Sequence, residues 1–182
     1  KGFAAGIEFE YVFGGSRLVQ RASVTENGRA LRFDNHIEWK ETKKMLRADF
    51  YPDVCADEAT FDIQFGNVRR SMKENNSQEW AQYEVCAHKW VDMSERDRGV
   101  AILNDCKYGY RAKGGLISMD LLRSQMYPCA DQDKGEHDFA YAVLPHAGDV
   151  YGGGVAKEAY AMNRPLKLFI AEATASMPSS KR

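Results

Sequence analysis

The sequence is dominated by short stretches in which apolar side chains stand at every second position. One such stretch runs from Ile7 to Phe13 and another from Phe61 to Phe65. Because successive side chains of a strand point to opposite faces, this period of two predicts β-strands. Turn residues such as Asn27-Gly28 separate about ten to twelve stretches of this kind, at a spacing of roughly 8–14 residues. The pattern predicts an all-β sandwich or barrel.

The length, composition and net charge of the chain exclude several classes of protein. The chain has 182 residues, of which 44% are hydrophobic and 28% are charged. A net charge of −1 gives no electrostatic reason to bind nucleic acid. No apolar run approaches the roughly 20 residues that a transmembrane helix needs. We therefore expect neither nucleic acid nor a membrane as a partner.

The helical and irregular parts of the chain are few. Residues 155–162 form the one segment with helical character, and Asn163-Arg164-Pro165 stops it. The polar residues 66–80 predict a long surface loop, and residues 171–182 predict a frayed tail. We expect residues 1–182 to form a single β-sandwich domain. The first residues enter a strand-like run at once, as expected of a fragment cut from a longer chain.

The cysteine spacing favours thiols over a disulfide framework. No two of the four cysteines form a C-x-x-C pair. A chain of this length does not need disulfides for stability, so we expect four reduced and mostly buried thiols. They are Cys55, Cys86, Cys106 and Cys129.

Metal and nucleophile motifs are absent from the sequence. The histidines at 88, 137 and 146 lack zinc-site spacing. Residues 131–135 resemble the start of a calcium loop, but the twelfth position, which should be Glu, is Ala142. No G-x-S-x-G elbow is present. We expect no metal site within this chain and no cysteine or serine nucleophile; carboxylate pairs are present, but the sequence does not show whether they converge. Trp39, Trp80 and Trp90 remain open between core packing and sugar platforms.

The best local candidate for a binding role is the stretch from Asn104 to Tyr108. It follows the apolar run 99–103, so its polar groups are presented at the end of a buried strand. Asp and Asn can accept hydrogen bonds from sugar hydroxyls, Lys can donate, and Tyr can stack. The same composition also suits an ordinary Asn/Asp turn closed by Gly109, and both interpretations stay open.

Ordered motif blocks along the chain closely resemble the C-terminal β region of glycoside hydrolase family 38, the α-mannosidases, in its cytosolic and bacterial branch. The resemblance covers about residues 15–166. The blocks are IEWKE (37–41), FDIQFG (61–66), EV and AHKWVDMS (84–94), GVAILNDCKYG (99–109), LLRS (121–124), D-x-G-x-H-x-F-x-YA (133–142), PH (145–146) and NRP (163–165).

The resemblance implies a galactose-mutarotase-like β-supersandwich with one short helix near the C-terminus. It also implies a cytoplasmic parent enzyme that hydrolyses terminal α-linked mannose in oligosaccharides with retention. The nucleophile, the acid/base carboxylate and a zinc ion would belong to an N-terminal catalytic barrel. That barrel and a helical bundle, both outside this chain, would be its partners.

Within that resemblance, one group of residues is expected at the rim of the sugar site or at the contact with the barrel. It consists of Asn104, Asp105, Lys107, Tyr108, Arg123 and His137. The fragment would support the site and carbohydrate binding but would be inactive alone. Two alternatives remain: a stand-alone carbohydrate-binding module, and a mutarotase-like sugar epimerase that uses a His/Glu pair.

Overall fold

The computed structural model of the protein describes residues 3–167. It contains two antiparallel sheets and two short helices, so the all-β prediction is confirmed. The predicted tail at 171–182 and most of the strand expected around residues 166–170 lie outside the described residues. In the described part, no helix is long and apolar enough to cross a membrane.

Eight strands form the large sheet, in the order β1-β2-β3-β12-β9-β8-β5-β6. Neighbouring strands are antiparallel throughout. Their bounds in chain order are β1 Ala4–Phe13, β2 Ser16–Thr25, β3 Leu31–Trp39, β5 Glu58–Ile63, β6 Gly66–Ser71, β8 Trp90–Ser94, β9 Arg98–Asn104 and β12 Gly135–Ala147.

Four strands form the small sheet, in the order β4-β11-β10-β7. They are β4 Met45–Phe50, β7 Val85–Cys86, β10 Gly109–Lys113 and β11 Leu116–Arg123. Helix α1 spans Ser77–Ala81 and helix α2 spans Val155–Asn163. The helix predicted at 155–162 is therefore confirmed, and α1 is an additional helix that the sequence pattern did not predict.

The main core lies between the two sheets. The inner face of the large sheet contributes Ile37, Trp39 and Phe61, and the small sheet contributes Ile117 and Met119. A second apolar cluster lies on the outer face of the large sheet, where α2 covers it. There Trp90, Leu103 and Leu144 pack against residues of α2. The large sheet is thus buried on both faces around β8, β9 and β12.

The β1–β2 hairpin is different, because β1 is exposed at every position before Phe13. Ile7 is 64% exposed and Phe9 is 40% exposed, although both lie on the inner face of the large sheet. Val24 on β2 is exposed on the same face. The hairpin therefore carries an uncovered apolar face that is continuous with the core.

Glu41 anchors the turn of this hairpin to the rest of the domain. Its Oε1 accepts hydrogen bonds from the Gly15 N–H (2.9 Å) and the Ser16 hydroxyl (3.1 Å). Gly14 has a φ of +57°, and a Cβ at Gly14 would overlap the Glu41 carboxylate. Hydrogen bonds from the Lys44 ammonium and the Gly15 N–H hold the pKa of Glu41 below its usual range.

The prediction of a long surface loop at residues 66–80 is wrong, because this segment contains strand β6 and helix α1. Phe65 adopts a left-handed conformation (φ 61°) and closes a tight turn into β6, which pairs with β5. As an edge strand, β6 tolerates polar side chains, and this hides it from a hydrophobicity pattern. Helix α1 then begins after Asn76, whose side chain accepts a hydrogen bond from the Glu79 N–H (2.9 Å).

A buried lysine holds this unexpected segment in place. Lys113 is almost fully buried, and its ammonium donates hydrogen bonds to three backbone carbonyls: Ser71 (3.3 Å), Lys73 (3.0 Å) and Glu79 (3.1 Å). The charge is thus solvated by the backbone in place of water. It ties the end of β6 and helix α1 to the small sheet.

The four cysteines are free, but the expectation that they are mostly buried is wrong. All four are exposed. Cys86 lies on the short strand β7, and the other three lie in connections between elements.

Candidate functional site

We use the name rim cluster for Asn104, Asp105, Lys107, Tyr108, Arg123 and His137. Strand β9 ends at Asn104 and β10 begins at Gly109, so residues 105–108 connect the two sheets. Strand β11 runs antiparallel to β10 and ends at Arg123. Strand β12 begins at Gly135, antiparallel to β9. The topology therefore brings all six residues to one end of the sandwich.

Asn104 organises this end and does not present its side chain outward. It is 1% exposed. Its Oδ1 accepts a hydrogen bond from the Lys107 N–H (2.6 Å), and its Nδ2 donates to the His88 carbonyl (2.7 Å) and contacts the Tyr110 hydroxyl. With its donors and acceptor used internally, Asn104 shapes the turn on which its neighbours are displayed.

Asp105 and Lys107 fasten the turn to β12. Asp105 Oδ2 accepts a hydrogen bond from the Ala140 N–H (3.0 Å). The Lys107 ammonium lies 4.4 Å from the centre of the Phe139 ring, which is a cation–π contact. Both side chains are thus partly engaged within the fold.

Tyr108 is the most available aromatic group of the cluster. It is 57% exposed. Its ring meets the His88 ring edge to face, with centroids 5.8 Å apart. It lines a small cleft of about 180 Å³ together with His88, Lys89, Asn104, Asp105 and Asn163. An aromatic face held in this way can pack against an apolar ligand surface.

Arg123 is exposed at the end of β11, beside a charged network on the outer side of the small sheet. Arg47 pairs with Glu84 and with Asp120, whose Oδ1 lies 3.0 Å from the Arg47 Nε. Burial raises the pKa of Asp120, and the positive charges of Arg47 and Arg123 oppose that rise. The guanidinium of Arg123 therefore remains near a carboxylate while facing solvent.

His137 is placed near the cluster but is engaged locally. Its Nε2 lies 2.8 Å from the Asp133 carbonyl, in the turn that precedes β12. His137 thus lies at the same end of the sandwich as the other five residues, but its ring is engaged by the turn that precedes β12.

The sequence of residues 2–131 matches the family described as the glycosyl hydrolases family 38 C-terminal domain. This chain belongs to that family.

Named relatives agree with the assignment to glycosyl hydrolases family 38. The chain is 42% identical to human Alpha-mannosidase 2C1 over 151 residues, which cover 83% of this chain and 14% of that protein. It is 40% identical to Alpha-mannosidase G of Dictyostelium discoideum over 167 residues, which cover 92% of this chain and 15% of that protein. The chain therefore spans about one seventh of the length of these relatives.

The fold is also that of a solved family member. The crystal structure of an alpha-mannosidase from Enterococcus faecalis V583 superposes with a TM-score of 0.74 at 18% identity. The match covers 82% of this chain and 18% of that one. It supports the β-sandwich architecture of the family 38 domain.

A metal site in this family 38 domain would need several His, Cys, Asp or Glu side chains grouped together. Across residues 3–167, no group of three or more His, Cys, Asp and Glu side chains could hold a metal ion. The part of the chain that the structure describes therefore offers no group of side chains that fits the zinc ion implied by the family resemblance.

The three tryptophans of the family 38 domain occupy different environments. Trp39 and Trp90 are buried in the two apolar clusters, so they are packing residues. Trp80 on α1 is 68% exposed.

Sequence reasoning missed a buried polar pair in this family 38 domain. His146 Nε2 lies 2.7 Å from Asp92 Oδ1, and the Ser94 hydroxyl donates to the other oxygen of Asp92. Burial raises the pKa of Asp92, against the opposing effect of its hydrogen bonds from Ser94 and His146. The available signal was a carboxylate inside the apolar strand Trp90–Ser94, where only a paired acid is tolerated.

Proposed function

We propose that this chain is the non-catalytic β domain of an enzyme that hydrolyses terminal α-linked mannose in oligosaccharides with retention. Its rim cluster borders the sugar site of that enzyme and contributes binding contacts. The observation that carries this proposal is the exposed Tyr108, held on a turn whose framework around Asn104 is buried.

The exposed groups of the rim cluster suit a pyranose ring. The face of Tyr108 can pack on the apolar C–H face of a sugar, while the Arg123 guanidinium can donate two parallel hydrogen bonds to hydroxyls or to a carboxylate. Binding sites of this type combine an aromatic surface with a few fixed polar groups. Because Asn104, Asp105 and Lys107 are engaged inside the fold, their role is to position the turn.

The bond-breaking groups belong to the remainder of the enzyme. Retention needs two carboxyl groups about 5–5.5 Å apart, one as nucleophile and one as acid and base. We assign both groups, together with the zinc ion, to an N-terminal catalytic barrel outside this chain. This chain holds and orients the sugar at the rim.

The barrel and its helical bundle would contact this chain through uncovered parts of the large sheet. Ile7, Phe9 and Val24 form an apolar face on the β1–β2 hairpin. Exposed apolar patches of this kind mark interaction sites.

A cytoplasmic location is part of the proposal. Four exposed free thiols suit a reducing compartment, where disulfides are rare. A fluorescent fusion of the complete protein would be expected to remain in the cytosolic fraction, and its recovery with secreted proteins would contradict this location.

The proposal is tested in a chimaera in which this chain replaces the matching region of the human relative. Tyr108→Ala and Arg123→Lys are each expected to lower kcat/KM on an aryl α-mannoside by about tenfold, as expected for loss of one charged or aromatic contact. Tyr51→Ala and Arg21→Lys are matched controls at exposed positions away from the rim cluster. Equal losses in the variants and their controls would refute the rim assignment.

Two further measurements address the division of labour. The isolated 182-residue chain is expected to give no turnover of the aryl α-mannoside, and zinc-dependent turnover by it would contradict a non-catalytic role. Proton NMR of the first product released by the chimaera should show the α-anomer, as retention requires.

A further inference from the structure

The outer face of β8, β5 and β6 forms a polar cleft of about 820 Å³. Strand β8 begins at Trp90, opposite Leu103 and close to the rim cluster, and ends at Ser94, opposite Gly99. Asp92, Ser94 and Glu95 line the cleft, so it lies towards the other end of the sandwich. Its volume is in the range of small-molecule binding sites.

The floor of the polar cleft is a row of hydrogen-bonding side chains. Thr60 on β5 is the register partner of Asp92 on one side and of Arg69 on the other. Glu58 and Ser71 pair with each other two positions further along, on the same face. The floor thus offers carboxylate, hydroxyl and guanidinium groups side by side, as a ligand that both donates and accepts would require.

Asp92 is a fixed part of this floor. It is 1% exposed, and its two oxygens are held by His146 and the Ser94 hydroxyl. The His146 ring is itself confined between two glycines: a Cβ at Gly99 would lie 2.6 Å from the ring, and one at Gly153 would overlap it. A floor fixed in this way loses little conformational entropy when a ligand binds.

One wall of the polar cleft is the segment that contains Asp149 and Val150. The next residue, Tyr151, has an exposed ring, and its hydroxyl donates to Asn67 Oδ1 on β6 (3.3 Å). The side chain therefore spans from this wall to the edge strand. It provides an aromatic face beside the polar floor.

The charge of the polar cleft limits the class of ligand. Six carboxylates and three basic side chains line it. Lys73 is paired with Asp57 at 2.9 Å, so the two charges of that pair offset each other. The remaining carboxylates outnumber the remaining basic side chains, which gives the cleft an excess of negative charge. Phosphorylated, sulfated and carboxylated ligands are disfavoured by this field. A neutral, hydroxyl-rich ligand is compatible with it.

We propose that the polar cleft is a second carbohydrate-binding site, which takes a neutral oligosaccharide arm. Sugar hydroxyls donate to Glu58 and accept from Arg69 and Thr60, while Tyr151 packs on a ring face. Asp92, whose oxygens are occupied within the fold, supports the floor beneath them. The choice of mannose as the sugar rests on the proposed function. The cleft itself is independent of the rim cluster.

The test is a ¹⁵N NMR titration of the 182-residue chain with α1,2-mannobiose and mannotriose. Saturable shifts are expected for amides of residues 57–60, 69–71, 92–96 and 149–151, with a dissociation constant on the order of 1 mM. Mannose 6-phosphate should shift these amides less at equal concentration. Shifts confined to residues 105–108 and 123 would support the rim cluster and overturn the cleft proposal, as would the absence of any saturable shift.

Matched variants make the test specific. Arg69→Met keeps the side-chain stem but removes the donors, and Glu58→Gln removes one charge; both residues are exposed, so folding should be retained. Each is expected to weaken binding about tenfold. Arg21→Met, at an exposed position on β2, is the control. Unchanged affinity in both cleft variants would overturn the proposal.

Discussion

The β1–β2 hairpin and the β3–β12 pair share the alternating pattern but differ in burial. Ile7 on β1 and Ile37 on β3 both face the inner side of the large sheet, yet Ile37 is fully buried and Ile7 is largely exposed. The small sheet has four strands and the large sheet has eight, so the small sheet is too narrow to cover the β1–β2 hairpin. Periodicity therefore identifies which face of a strand is apolar, whereas the presence of a covering layer decides whether that face is buried.

The largest expected difference between the two regions is in core stability. Ile37→Ala should lower the free energy of unfolding by about 2–5 kcal/mol, because it removes buried methyl groups and leaves a cavity. Ile7→Ala should change it by no more than about 0.5 kcal/mol. Urea denaturation of both variants measures this. Similar losses would show that the hairpin is covered in solution.

The second prediction compares two glycines. Gly153→Ala should destabilise the chain by about 1–3 kcal/mol, because its Cβ would overlap the His146 ring. Gly15→Ala in the hairpin turn should be nearly neutral, since its Cβ would meet Lys40 at an ordinary 3.5 Å. Thermal unfolding of the two variants provides the measurement, and a neutral Gly153→Ala would mean that His146 can move.

The stability contributions of Glu41, at the hairpin turn, and of Asp92, in the large sheet, should depend on pH with opposite signs. The pKa of Glu41 is lowered from 4.5 in the folded chain, so its stabilising contribution is present above pH 4.5 and is lost as the pH falls through the folded-state value. The pKa of Asp92 is raised from 3.8, so its contribution is present below pH 3.8 and is lost as the pH rises through the folded-state value.

Hydrogen exchange measured amide by amide separates these two effects. Acidification below pH 4.5 should reduce protection first in β1 and β2, and Glu41→Gln should weaken that dependence, leaving the part that comes from the Glu10–Arg17 pair, where the pKa of Glu10 is also lowered. Glu8→Gln on β1 is the control and should retain it. Loss of protection spread evenly over both sheets would contradict an anchoring role for Glu41.

The smallest expected effect is on self-association. The isolated chain should associate weakly through the apolar face of the hairpin, and Ile7→Glu on the inner face should reduce this. Val12→Glu, on the opposite face of the same strand, should not. Sedimentation velocity over a range of concentrations distinguishes them, and equal behaviour of the two variants would place the contact elsewhere.

Local patterns were sufficient to predict most of the fold. The alternation predicted strands such as β1, β4 and β5, and helical character predicted α2. Strand β6 and helix α1 were missed, because an edge strand with Arg69 and Arg70 and a five-residue helix both lack an apolar pattern. The single-domain boundary at 1–182 stays a prediction.

The candidate sites depended on long-range pairing, which a sequence reveals only in part. Residues 104–108 could be assigned to a strand end, and the antiparallel pairing of β10 and β11 places Arg123 at the same end of the sandwich. The Asp92–His146 pair joins residues 54 positions apart. Its partners are determined by the order β12-β9-β8 in the large sheet, and nothing in either local segment indicates that order.

The buried ammonium of Lys113 has a practical consequence for experiments on this protein. An amine-reactive reagent can modify that nitrogen only when its three carbonyl partners have separated and water has entered. Mass spectrometry can follow the labelling of Lys113 over time, with an exposed lysine such as Lys40 as the reference. The labelling rate at Lys113 would therefore measure how often the segment between β6 and β7 opens locally. The lining of the polar cleft includes Ser71, Lys73 and Glu79, the three residues whose carbonyls hold Lys113. A sugar bound in the cleft should therefore lower the labelling rate of Lys113.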